Sequence, residues 1–487
     1  MFLVRYQVSI LLCYLFCITT LVYAVSLSAP FVFADVINVL ENPYLKDFSA
    51  FIAKVLSGHQ ERGTLASAYD LHNRVLVSLS YYLNYQFSGY NPALFRLTNI
   101  CFHFLSTIFL LLFINRLLTV SSVFKEKERY GILWIVVTIF ALHPMHVHAV
   151  TYISKRSSVM ATMFIYASLW SFAYAKHLRD PRYWIACVCF VLAMGCKEFA
   201  IVLPLILVSF IHLFGINGQK VTWIEKGRFL VPFGILTLAI LMVRYFQNGE
   251  ITYVHDKGFL RFSEIIPYAS SQVLVIAIYI GKIFFPIYTY LYYPLGAHAS
   301  PYGLQLWSGF LLLIGLAGTT YYVSKKNPHK KVIFFSIVMF FLLLMPTSSF
   351  IPQNSLMVEC RVYSCSAFLF LSLLLILKEY VRHRLWRILL LSIYLVGMLM
   401  LNLEVQEKYK HPYRLWEDVV QDFAHAGNVK KKALYGSYLN LGAAYLQEGA
   451  KSLALDSFQE AHKIMPERGE ALLNIKYVLM LQKNGDK

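Results

Sequence analysis

Read for hydrophobicity, the chain is a series of apolar runs near the 20 residues that a helix needs to cross a bilayer, separated by short polar stretches. The runs centre near residues 17, 108, 139, 167, 190, 206, 237, 278, 314, 338, 370 and 394, which predicts an all-α, polytopic membrane protein. Basic clusters between them set the orientation: Arg5; Lys125, Lys127 and Arg129; Lys176, Arg179 and Arg182; Lys220, Lys226 and Arg228; Lys325, Lys326, Lys330 and Lys331; Lys378, Arg382, Arg384 and Arg387. Putting all six on the cytoplasmic side demands an even number of crossings between neighbours, yet three runs lie between Arg228 and Lys325. The run from Val273 to Pro286, with polar and aromatic company on both sides, is therefore assigned as a re-entrant or interfacial helix. About 11 spans remain, with the N-terminus cytoplasmic and the C-terminal end outside. The first run, Val8 to Ser28, follows one basic residue and lacks a small-x-small cleavage site, so it is expected to be retained.

After residue 403 the pattern changes. Residues 404–487 carry 11 acids and 12 bases and read as a soluble helical tail, while residues 1–403 form the membrane domain with residues 27–96 as its first outer loop. The 34 residues from Tyr435 to Arg468 hold Tyr438, Leu441, Gly442, Tyr445, Ala454, Phe458, Ala461 and Pro466 at the signature positions of a tetratricopeptide repeat. Small Gly442 and Ala461 let two antiparallel helices approach, and Pro466 ends the second. One repeat is not self-sufficient, so Arg414 to Phe423 and Gly469 to Leu481 are expected as flanking helices. Tyr438, Leu441 and Tyr445 are the positions through which the repeat would hold a protein partner; the alternative is that the repeat only caps the last helix.

Composition narrows the class. The 487 residues are 58% hydrophobic and only 14% charged, against roughly 25% charged in a soluble protein. A net charge of +18 would suit nucleic acid on a soluble fold, but here Lys and Arg sit in short clusters between apolar runs and read as topology. The eight cysteines lie in or beside apolar runs and show neither a disulfide framework nor zinc-site spacing.

Four polar groups fall on the predicted outer face. FVFADVINVLENPYL sets Asp35 just after an apolar helix end, with Asp70, His72 and Arg74 further on. A partly desolvated carboxylate is more basic and can take a proton from a hydroxyl; the plainer reading is a turn residue bonding backbone amides. ALHPMHVHAVTYISKR brings His143, His146 and His148 next to Lys155 and Arg156. Zinc is disfavoured, because Pro144 breaks the helical register, no carboxylate is near in sequence and the neighbours are cationic. Imidazoles with Arg and Lys suit a phosphate headgroup better. Lys197 and Glu198 form a charged pair between two apolar runs, either an ion pair or a substrate contact. VECRVY supplies Glu359, Arg361 and Tyr363, where Arg361 faces either a lipid phosphate or Glu359.

Taken in order, FVFAD with ENP, RVLVSLSYYLNY, NPALFRLTNICFHFL, ALHPMHVHAVTYISKR, CKEFAIVLP and ECRVY, followed by a tetratricopeptide tail, resemble the bacterial relatives of the transmembrane-and-tetratricopeptide protein O-mannosyltransferases, of the GT-C class of membrane glycosyltransferases. The resemblance implies an active site on the outer, periplasmic face of a bacterial inner membrane and a sugar donor carried on polyprenyl phosphate. The acceptor would be a Ser or Thr hydroxyl of an exported protein, or a glycan. It makes Asp35 the base of an inverting displacement, and places Arg74, His143, His146, Arg156, Lys197, Glu198, Glu359, Arg361 and Tyr363 around the donor and its phosphate. Ala34 stands where the family has the first acid of a pair, and Tyr290 and Tyr292 stand where many relatives carry acids, which weakens the case for a bound divalent cation. No cofactor is expected. The competing function is an inactive membrane scaffold whose repeat binds an envelope or secretion partner. A transporter, with ionisable residues deep in the bundle and inverted repeats, fits less well.

Overall fold

The computed structural model describes residues 2–57, 74–248, 262–296, 304–325, 327–349, 351–380, 383–426 and 429–485; Asp70 and His72 lie outside these residues. Among the described residues the protein is a helical bundle without strands, followed by a helical tail. Among these residues five helices are long and apolar enough to cross a membrane, or six if one bent pair counts as a single span. A multi-pass membrane protein is thus borne out.

The bent pair is Glu126–Leu142 with Pro144–Val150, broken by 59°. Its cause is local: Pro144 has no amide hydrogen to continue the first helix, and the buried His143 takes an extended backbone conformation and accepts a hydrogen bond from the Met145 amide at 3.2 Å. The expected re-entrant run is instead an unbroken helix, Phe262–Phe284, which length and composition would allow to cross. Three of its side chains nevertheless reach one loop. Gln272 donates to the Leu356 carbonyl at 3.0 Å, Tyr279 donates to the Val358 carbonyl at 2.8 Å, and Lys282 lies 3.6 Å from Glu359.

The helix Pro92–Val120 is the spine of the bundle, started by Asn91, whose side chain accepts from the Ala93 amide. It carries Arg96 near one end and Arg116 near the other, a separation of roughly 30 Å at 1.5 Å per residue. Around the Arg116 end gather parts of the basic segments. Arg116 lies over the Tyr174 ring and donates to Asn217. Lys378 sits 3.3 Å from Glu128, and His329 stacks on Phe124. Asp35, the Ile153–Lys155 turn and the tail gather at the Arg96 end.

The last bundle helix, Arg384–Lys410, runs past residue 403 and stops at His411, so the change of material at the expected boundary occurs inside one helix. The tail then folds as Pro412–Phe423, Lys431–Gln447, Lys451–Ile464 and Gly469–Gly485. The middle two form the repeat, and Gly442 is what allows their contact: a Cβ there would lie 2.5 Å from the Phe458 ring. Leu441 and Tyr445 are buried within this packing, Tyr445 against Tyr413 and hydrogen-bonded to Glu417. Tyr438 is half-buried and packs on the same core. Leu441 and Tyr445 therefore hold the tail together and present little surface to a partner.

Candidate functional site

The segment after the first helix is irregular because its backbone is claimed from outside. Arg96, fully buried, donates to the Ala29 and Pro30 carbonyls and, at 3.2 Å, to that of Thr151. This clamps residues 29–30 to the bundle and sets the start of the loop that presents Asp35.

Asp35 has no exposed surface. Its Oδ1 accepts from the Ser154 amide at 2.7 Å and from the Ser154 hydroxyl at 2.6 Å, and its Oδ2 accepts from the Val32 amide at 3.3 Å. Burial pushes its carboxyl up to about 6, with the Ser154 bonds and the Arg96 charge opposing. Asn38 donates to the Ser154 hydroxyl, and the Ala34 amide donates to the Tyr152 hydroxyl. Where the first acid of a pair is missing, the backbone of Ala34 is thus used structurally.

Ser154 belongs to the turn Ile153–Lys155, and the next residue points elsewhere. Lys155 lies over the Tyr152 ring at 5.7 Å and is near enough for its charge to act on the Cys360 thiol and on Lys197. Cys360 lines a small cavity together with Ser158, Thr162, Lys197, Phe199, Leu343, Thr347, Arg361 and Ser364. Lys197 donates to the Ser158 hydroxyl at 2.7 Å, and burial pushes its ammonium down to about 8. Arg361 bonds the Leu356 and Ser355 carbonyls, which fixes its guanidinium at the cavity wall. Burial raises the Cys360 thiol, but Lys155, Lys197 and Arg361 outweigh it and hold the thiol below its ordinary value. The chamber is cationic, with hydroxyl donors and two apolar walls, the donor set of an anion site.

The other residues singled out from the sequence divide sharply. Arg156 turns inward: its three nitrogens donate to Asn99, Ser80 and the Phe95 carbonyl at 2.6, 2.9 and 2.8 Å, and its guanidinium lies 4.5 Å from the Tyr81 ring centroid. His143 caps a helix and bonds the Ile283 carbonyl at 2.8 Å. His146 bridges the Phe140 carbonyl and the Ser366 hydroxyl, and Tyr363 is tied to His103 at 2.7 Å. Arg74 and Glu198 pair at 3.5 Å, with Arg244 at 3.8 Å from the same carboxylate. Burial raises the Glu198 carboxyl, and these two cations outweigh it.

Glu359 is buried in the joint with the tail. It accepts from the Tyr290 amide at 3.3 Å and from the Tyr293 hydroxyl, and lies 3.6 Å from Lys282 and 3.7 Å from His148. Burial pushes its carboxyl up to about 7. Tyr290 also donates to Asp422 of the tail, and the Lys430 amide donates to the Pro294 carbonyl at 2.9 Å. Sequence reasoning missed Arg96, although Arg96, Asn99, His103, Ser106 and Thr107 form a polar stripe at three- and four-residue spacing on an apolar helix.

Among the described residues no group of three or more His, Cys, Asp or Glu could hold a metal ion. The three histidines near Pro144 are each engaged separately, with the Ile283 and Phe140 carbonyls, Ser366 and Tyr409.

Fold and site together define a polytopic helical membrane protein with a tetratricopeptide tail, a buried carboxylate and a cationic chamber at one end. Its sequence is similar to human protein O-mannosyl-transferase TMTC3, 31% identical over 246 residues, 47% of this chain and 25% of that protein. Mouse TMTC1 is 30% identical over 156 residues, 31% of this chain and 15% of the relative, and Xenopus laevis tmtc2 is 32% identical over 140 residues, 27% and 15% respectively. The chain is thus a relative of the transmembrane-and-tetratricopeptide O-mannosyl-transferases, and its matches span a quarter or less of those relatives' length. No protein-family model and no solved structure matches the chain.

Proposed function

We propose that the protein is a membrane glycosyltransferase that moves a sugar from a polyprenyl-phosphate donor to a Ser or Thr hydroxyl of an exported protein, with residues 1–403 as the catalytic membrane domain and residues 404–487 as a tail on the same outer face. The observation that carries this reading is the turn Ile153–Lys155, where Ser154 holds the Asp35 carboxylate and the neighbouring Lys155 is close enough for its charge to act on Cys360 and Lys197 of the chamber. A base and an anion site are the two requirements of a single inverting displacement.

In that reaction the acceptor hydroxyl replaces the Ser154 hydroxyl at Asp35 Oδ1. The acceptor oxygen bonds to the anomeric carbon as the bond from that carbon to the phosphate oxygen breaks, and the proton passes to Asp35. Polyprenyl phosphate leaves with the bonding pair, its charge held by Lys197 and Arg361. No covalent intermediate is needed, so one carboxylate, Asp35 beside Ser154, is enough. The sugar is read as mannose, as the relatives' names print it. The bacterial inner membrane, with 11 crossings and a periplasmic tail, is the setting that fits the resemblance and the charge pattern.

One observation favours a scaffold: both Asp35 oxygens are already occupied, by Ser154 and Val32. Purifying the protein with its native lipid and identifying co-purified polyprenyl phosphate by mass spectrometry tests the enzyme reading. Its recovery from the wild type, and its loss with Lys197→Ala plus Arg361→Ala, is expected. Lipid-free protein, or equal recovery from both, supports the scaffold.

A further inference from the structure

Phe33, two residues before Asp35, has φ of +49° and is 41% exposed as a residue. The left-handed region is rarely occupied by a bulky side chain, and such strain persists only where the surroundings over-determine it. They do so here. Arg96 holds the carbonyls of Ala29 and Pro30, the Val32 amide is bonded to Asp35, and the Ala34 amide is bonded to Tyr152. The backbone is pinned on both sides of residue 33, and its ring is turned out of the core.

That ring does not reach open solvent alone. It meets the Trp416 ring edge-on at 5.1 Å, lies near-parallel to Tyr152 at 6.4 Å, and approaches Tyr292 at 6.4 Å. Trp416 is buried and belongs to the first helix of the tail, so the exposed face lies under a polar domain. An aromatic belt at a lipid interface would instead sit on a membrane-facing helix. The polar groups on the segments that flank and face it are Ser154, bonded to Asp35, Asn38, bonded to Ser154, and Lys155, which lies over the Tyr152 ring. An apolar ring face bordered by a few hydrogen-bonding groups matches a pyranose, which has C–H bonds on its face and hydroxyls around its edge.

We propose that Phe33, braced by Tyr152, Tyr292 and Trp416, is the platform on which the sugar ring of the donor stacks, so that the strained loop delivers both the base and the surface that orients the sugar. This deepens the transferase reading and rests on it. Phe33 acts on specificity and positioning, since it carries no group that enters the reaction.

The test is binding by the full chain in nanodiscs, comparing polyprenyl-phosphate-mannose with polyprenyl phosphate alone. The wild type is expected to bind the sugar-bearing lipid at least tenfold tighter. Phe33→Gly, which fits the positive φ and keeps the fold, removes this preference while leaving the affinity for polyprenyl phosphate unchanged; Phe33→Trp retains it. Thermal unfolding of each variant identifies any loss due to misfolding. A wild-type preference that survives Phe33→Gly overturns the platform and leaves the transferase reading standing. If the wild type binds neither lipid, both fall. If Phe33→Gly weakens both lipids equally, the ring is a membrane anchor and the platform is again overturned.

Discussion

Two buried carboxylates at the same end of the bundle, Asp35 and Glu359, have similar surroundings in bulk and opposite connections in detail. Both are hidden from solvent and both are pushed upward by burial, to about 6 and about 7. Asp35 is held by a serine and two backbone amides, small neutral donors that an incoming hydroxyl can replace. Glu359 is held by Lys282 and Tyr293, and through Tyr290 it is connected to Asp422 of the tail. A carboxylate near a cation and wedged between two domains is costly to free, because the partner charge would be left buried. The contrast teaches that burial and a raised pKa alone do not distinguish a working acid from a keystone; the replaceability of the partners does.

The first way to break this comparison is to neutralise each acid in turn. Asp35→Asn keeps the size of the side chain and removes the base, so transfer should fall by at least about 100-fold; its NH2 must face the Val32 amide, another donor, so stability should fall by about 1–3 kcal/mol without loss of the fold. Glu359→Gln should leave most of the transfer intact. Comparable losses of transfer from both would erase the distinction. The second test is stability: Glu359→Ala strands Lys282 and should cost about 3–5 kcal/mol, read by denaturation and by earlier proteolysis at the joint with the tail. Asp35→Ala, whose partners are neutral, should cost clearly less.

A third variant moves to the chamber. Lys197→Ala should weaken polyprenyl-phosphate binding by roughly 10- to 100-fold, the value of one charge-assisted contact, while binding of an acceptor peptide is unchanged. The fourth test is pH. A base works only when ionised, so kcat/KM should be level above pH 6 and fall about tenfold for each unit below it, following the Asp35 carboxyl. Glu359→Gln should leave that inflection in place; its disappearance would transfer the base role to Glu359. The smallest effect belongs to the tail: Gly442→Ala forces the Phe458 ring to move and should destabilise the repeat by about 1–3 kcal/mol without lowering chamber binding.

Much of the architecture was legible because it is written in local pattern. Apolar runs, the Pro144 break and the spacing of Leu441, Gly442, Ala454 and Phe458 all act within a helix or two. The flanking tail helices came out where the repeat demanded them, at Pro412–Phe423 and Gly469–Gly485. The roles of polar residues were less legible, because they depend on which way a side chain turns. Lys155 and Arg156 are neighbours, and the sequence reading favoured Arg156 for the phosphate. A short 3-10 turn before the helix Arg156–Tyr174 puts Arg156 into the core against Asn99 and Ser80 and leaves Lys155 over the Tyr152 ring, its charge acting on Cys360 of the chamber. Nothing in the local sequence sets that phase.

Glu359 was singled out in the sequence, but its link to the tail was hidden for a different reason. Its hydroxyl partner, Tyr293, is 66 residues away, and the tail residue that Tyr290 reaches is 132 away. A contact of that range is settled by packing of the tail onto the bundle. The replacement of acids by Tyr290 and Tyr292 could be seen in the sequence, yet only the fold reveals what they do: Tyr290 ties Glu359 to the tail and Tyr292 packs beside Trp416.

The most direct test of the account is transfer itself. The full chain is reconstituted in liposomes with polyprenyl-phosphate-mannose labelled in the sugar and a Ser/Thr-containing peptide, and labelled peptide is measured at pH 7 for the wild type, Asp35→Asn and Glu359→Gln. Labelled peptide from the wild type and from Glu359→Gln, with almost none from Asp35→Asn, is the predicted result. Equal labelling by the Asp35→Asn protein, or none by the wild type, would contradict the assignment of Asp35 as the base of a sugar transfer.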